Sequence, residues 1–132
     1  MKSRAFRYWR DPLCIVACAA YALNRFFLAP LTAHDSFLRT HFDDLLLIPA
    51  ALPLVLWFQR LLALRTHDQP PGAGEITFHL LLWSLISEWI GPTFLHHGTA
   101  DLLDVPAYSA GAFASYICWW MEISLAAKRV RP

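Results

Sequence analysis

The chain has 132 residues, 57% of them hydrophobic and only 16% charged, with a formal net charge of +1. Soluble domains carry roughly a quarter charged residues, and a chain this short has too little interior to hide so much apolar surface. The composition therefore excludes disorder and gives a nucleic-acid partner no electrostatic support. The three cysteines, Cys14, Cys18 and Cys118, lie inside apolar runs and do not read as a disulfide framework.

Lys2, Arg4, Arg7 and Arg10 precede a first apolar stretch, Pro12 to Leu31. Asp11 suits the cap of this helix, and Pro12 suits its first turn, where a missing N–H costs nothing. The start looks superficially like a secretory or lipoprotein signal. However, only Pro12 to Ala17 precede Cys18, which is shorter than an apolar region of roughly 7–15 residues, so this stretch is expected to be retained. Pro30 to Phe42 is a connector. A second stretch, Asp44 to Leu64, contains Pro49 and Pro53, which predict a kink with carbonyls freed toward the interior. Arg65 to Glu75 is polar and rich in Pro and Gly, hence a loop. A third stretch runs from Ile76 to Pro92. Thr93 to Asp104 is a connector, and the fourth stretch runs from Val105 to Ala127.

Each stretch is near the roughly 20 residues that span a bilayer. The expected fold is all-α: one integral membrane four-helix bundle over residues 1–132. Arg60 and Arg65 follow the second stretch, and Lys128, Arg129 and Arg131 follow the fourth. With four spans these share one side with the basic N-terminus, so the positive-inside rule puts both termini in the cytoplasm.

On that topology the polar groups gather at the outer end. Asp35, Asp43, Asp44, Asp101 and Asp104 fall there, as do His34, His41, His96 and His97. Asn24 and Arg25 come late in the first span and Glu88 late in the third. A charge in hydrocarbon costs several kcal/mol, roughly 2.5 upward, unless it is paired or hydrated, so Arg25 and Glu88 are expected to face one another. Asp101, Asp104 and Tyr108 fall on one helical face. The candidate ligand-binding residues are therefore Arg25, Asp43, Asp44, Glu88, Asp101, Asp104 and Tyr108, with Asp44, Glu88 and Asp104 as a candidate metal set. Oxygen ligands suit Mg, Ca or Mn, and added histidines shift the preference to Zn.

A plainer reading stands beside this one. Asp44 and Asp104 also serve as helix caps, Arg25 and Glu88 as a pair that fixes register, and the loop carboxylates as solvated charges. Adjacent His96 and His97 do not share a helix face, and His79 reads as an interfacial residue. The fourth span carries two small-residue stripes, Ala107, Gly111, Ser115 and Ala110, Ala114, Cys118. They suit internal packing, with a homo-oligomer through span four as the alternative.

Ser87-Glu88 followed by Asp101-Leu-Leu-Asp-Val-Pro-Ala-Tyr-Ser-Ala-Gly111 resembles the VanZ-like family of small bacterial membrane proteins. His41-Phe-Asp-Asp-Leu-Leu-Leu-Ile-Pro49 looks like a motif of an uncharacterised small-protein branch of it. The sequence departs from that pattern at Tyr108, where the family usually has Asn, and at Gly91-Pro92, where a Gln often follows the Glu. The resemblance implies a multi-pass protein of the bacterial inner membrane with an envelope role. It points to Glu88, Asp101 and Asp104 without implying a reaction.

Three functions remain open at this level. The first is a binding or accessory protein whose outward-facing acidic pocket takes a cation or an envelope component. The second is an ion or small-solute transporter subunit. The third is a metal-dependent membrane hydrolase.

Overall fold

Asp11 starts the first helix as its sequence context predicts. Its carboxylate accepts from the amides of Leu13 at 3.1 Å and Cys14 at 3.4 Å, and Pro12 fills the first helical position. The computed structural model describes residues 5–94 and 102–129; helices joined by turns and loops are their regular structure, with no strand among the described residues.

A single 3-10 turn (Tyr8–Arg10) leads into α1 (Pro12–Leu23). This helix continues through a π-helical turn (Asn24–Leu28) and a 3-10 turn (Ala29–Leu31). A short α2 (Phe37–Thr40) precedes α3 (Phe42–Leu61). Next, α4 (Ala73–Leu85) runs into a second π-helical turn (Ile86–Ile90) and then α5 (Gly91–Phe94). The last element is α6 (Asp104–Arg129). Among the described residues two stretches, Pro12–Leu31 and Phe42–Leu61, are long and apolar enough to cross a membrane.

The second helix ends at Leu61, short of the expected Leu64. Ala63 takes a left-handed conformation (φ 56), its amide bonds Arg60 O at 3.2 Å, and the Leu64 amide bonds Gln59 O at 2.9 Å. This is a Schellman stop with Ala in the position that usually holds Gly.

The core lies along α3. Ile48, Leu52 and Leu56, four residues apart, are fully buried and pack with Ala112 and Trp119 of α6, Ile76 of α4, and Phe6 and Tyr8. The main partners of α3 are α6 and α1, and α4 packs chiefly on α6. Of the two small-residue stripes, Ala107, Gly111 and Ser115 are buried, whereas Ala110, Ala114 and Cys118 are exposed. The buried stripe has a specific cause. Pro49 has no N–H, so the carbonyl of Leu45 loses its helical partner. Gly111 comes so close to this carbonyl that a Cβ there would lie 2.0 Å from Leu45 O. One helix thus exposes a backbone oxygen, and the other meets it with the only residue that fits. Cys14 and Cys18 reach the same helix through thiol contacts to Ala50 O, at 3.4 Å and 3.9 Å.

Candidate functional site

α3 and α6 both begin at the end of the molecule where α1 and α4 finish. Two helix N-termini therefore converge there, each carrying carboxylates that its dipole favours: Asp43 and Asp44 on α3, and Asp104 on α6. The residues that close α1 and α4 at this end lie in the two π-helical turns, Asn24 and Arg25 in one and Ser87 and Glu88 in the other. A π turn inserts an extra residue and re-aims the side chains that follow, which is why such turns recur at functional sites.

The centre of the cluster is His41, Asp44 and Asp104. Each offers one ligand atom, and these three atoms lie within 4.8 Å of one another. His41 Nδ1 is 2.7 Å from Asp104 Oδ1, with both side chains mostly buried. Nδ1–H donates to the carboxylate, and a cation bound between the two groups would have to replace that proton. Tyr108 follows Asp104 by one turn, is buried, and donates to Glu88 Oε1 at 3.5 Å.

The candidate residues do not all share this centre. Asp43 turns away from Asp44, as adjacent helical residues must, and accepts from Asn24 Nδ2 at 2.9 Å. The same Asn24 nitrogen donates to Leu38 O at 2.7 Å. Arg25 was expected opposite Glu88, but its ion pair is with Asp43, at 3.9 Å. The π turn at residue 24 swings it toward the start of α3. Glu88 stands outside the close triad and adjoins it through Tyr108. Asp101, His96 and His97 lie outside the described residues. His41 was not among the candidate ligands, although a signal was present: it stands three residues before Asp44 across a helix start, a spacing that brings side chains together.

The opposite end holds a polar network that its loop-like sequence did not suggest. Arg65 is buried and binds both Glu75 oxygens, from Nε at 2.9 Å and Nη2 at 3.1 Å. It also donates to Tyr8 Oη at 3.1 Å and to Gln69 O at 2.8 Å. Tyr8 in turn donates to Asp68, which accepts from Arg60 Nε at 2.9 Å. Burial alone would raise the Glu75 carboxyl, but the Arg65 hydrogen bonds and charge outweigh it and hold Glu75 below its ordinary value. The hydrogen bonds from Tyr8 and Arg60 lower Asp68 likewise. His79 is buried inside the bundle, near the start of α4. Its Nδ1 lies 2.7 Å from Glu75 O and its Nε2 lies 3.3 Å from Gln59 Nε2. A carbonyl can only accept, so Nδ1 carries the proton and Nε2 accepts from the Gln59 amide.

The chain matches no protein-family model, and no curated protein or solved structure matches it.

Proposed function

We propose that this chain is an integral membrane four-helix bundle of the bacterial inner membrane with both termini in the cytoplasm. In this reading it binds a divalent cation at its outer end through His41, Asp44 and Asp104. The membrane part is supported by the two long apolar helices and by large apolar side chains exposed on every long helix. Phe26 (71% exposed), Phe58, Phe78 and Phe113 are among them. Apolar surface on all sides is a liability in water and an asset in lipid. Basic residues and Trp9, Trp57 and Trp120 sit toward the end opposite the cluster, which favours that end as cytoplasmic.

One observation carries the cation reading: an imidazole and two carboxylates from two different helices converge within 4.8 Å. Two carboxylates this close repel each other, and a cation offsets the repulsion. One nitrogen and two oxygens suit Zn or Mn better than Ca or Mg. Asp43 and Arg25 form the adjoining wall, and Glu88 extends the acidic lining through Tyr108. The VanZ-like resemblance draws on two of these acids, Glu88 and Asp104, and belongs to the same reading.

The test is elemental analysis of the purified chain, with a thermal-shift series over divalent ions on wild type, Asp44→Asn and His41→Gln. The reading expects near-stoichiometric metal and an upward shift with Zn or Mn, both lost in the variants. A wild type with no bound metal and no ion-dependent shift refutes it.

A further inference from the structure

The end opposite the His41 cluster carries a feature that the cation reading does not use. Residues 5–10 and Trp57 line a wide-open surface cavity of about 580 Å³. Its wall is the segment around the 3-10 turn. Arg7 and Arg10 both line it, and the Arg10 amide closes the turn on Arg7 O at 3.0 Å. Tyr8, between them, has φ 54, a left-handed backbone that residues with side chains avoid. Its hydroxyl anchors this bend by donating to Asp68 and accepting from Arg65. The Phe6 amide adds a bond to Asp68 O at 2.7 Å. The fold thus holds a strained loop in place, and that loop presents two guanidiniums to a cavity.

Those guanidiniums differ from those of the other arginines whose side chains are described. Arg25 meets Asp43, Arg39 meets Thr32 O, Arg60 meets Asp68, and Arg65 meets Glu75. Arg7 and Arg10 are exposed and find no carboxylate or carbonyl acceptor for their side chains among the described residues. Arg10 instead lies over the Trp9 ring, 4.6 Å from its centroid. The cavity therefore pairs fork-shaped donors that lack an anionic partner with aromatic surface from Trp9 and Trp57. Guanidinium forks suit phosphate oxygens, and half-exposed tryptophans suit the glycerol and upper-chain region of a bilayer. A free inorganic ion would use the first half of this wall and leave the second idle.

We propose that the cavity formed by residues 5–10 and Trp57 binds the headgroup of an anionic phospholipid. Arg7 and Arg10 bind its phosphate, and Trp9 and Trp57 lie against its glycerol and chain. The proposal rests on the membrane reading above and is independent of the cation site.

The test uses the full chain purified in detergent, with lipid retention followed by native mass spectrometry. The probes are phosphatidylglycerol, phosphatidylcholine and water-soluble glycerol 3-phosphate. Wild type should retain one phosphatidylglycerol and no phosphatidylcholine. Arg7→Gln/Arg10→Gln should weaken that retention roughly 25-fold, about fivefold per guanidinium. It should keep the wild-type unfolding midpoint, since neither side chain loses a protein acceptor. Trp57→Leu, with both charges intact, should also weaken retention. Equal phosphatidylglycerol retention by wild type and the double Gln variant overturns the proposal. So does glycerol 3-phosphate competing as well as the lipid, which would make this a site for soluble phosphate. A chain that stays monodisperse without detergent overturns the membrane reading itself, a separate failure from loss of the Arg7/Arg10 effect.

Discussion

Replacing Gly111 by Ala should loosen the contact between α3 and α6, although the same substitution helps most helices. In an exposed helix interior, Gly→Ala gains about 1 kcal/mol. Here the new Cβ would lie 2.0 Å from Leu45 O and 2.9 Å from Leu45 C. These are backbone atoms of a helix and cannot rotate away. The closest comfortable carbon–oxygen approach is about 3.3 Å, so the helices must part by roughly 1.3 Å at this level. Ile48, Leu52 and Trp119 pack just below, and a gap of 0.5–1 Å forfeits about a quarter to a half of a dispersion contact. Overpacking of this kind costs about 1–3 kcal/mol, which exceeds the propensity gain. Thermal unfolding in detergent should show Gly111→Ala melting lower by on the order of 5 °C. Gly74→Ala, whose added Cβ meets nothing within 4 Å, should melt at or above wild type. If Gly111→Ala is as stable as Gly74→Ala, the reasoning from the proline-freed carbonyl is wrong.

Three more outcomes follow from the fold. Ala63→Gly should raise stability by about 1 kcal/mol in the same melt, because it relieves the left-handed strain at the end of α3. Asp11→Ala should lower stability by about 3 kcal/mol, because it removes the α1 cap and orphans the buried Trp119 Nε1, which donates to Asp11 at 3.2 Å. Trp119→Phe spares the cap and should cost less. The third concerns pH. Glu75 and Asp68 are held below their ordinary values of 4.5 and 3.8, so their pairing stabilises the fold fully above those values. That stabilisation is lost as pH falls further, through the lowered values. Wild type should lose stability over this acid window, and Glu75→Gln, already weakened at neutral pH, should lose less of it.

Local features were legible from residue order alone. Asp11 and Pro12 marked the start of α1 because capping is decided within a few residues, and apolar runs bounded by polar connectors marked the long helices. The gathering of acids at one end followed from alternating helix direction. Partner choice was not legible, because it depends on register and on backbone turns without a sequence signature. The π turn at Asn24 sends Arg25 to Asp43, and the Tyr8–Arg65 bond joins groups 57 residues apart. α3 stops three residues before the end of its apolar run because the stop uses Ala63, where a Gly would have marked it in the sequence.

The contact between Leu45 and Gly111 also acts as a mechanical stop. Leu45 follows Asp44 directly, and Gly111 lies less than one turn beyond Tyr108 on the helix that Asp104 begins. Two backbones already touching there leave α3 and α6 no travel toward each other at this level. The gap between Asp44 and Asp104 in the proposed cation site would then have its width set by that contact and not by the ion. The order of affinities across ions of graded radius would therefore serve as a ruler laid across that gap.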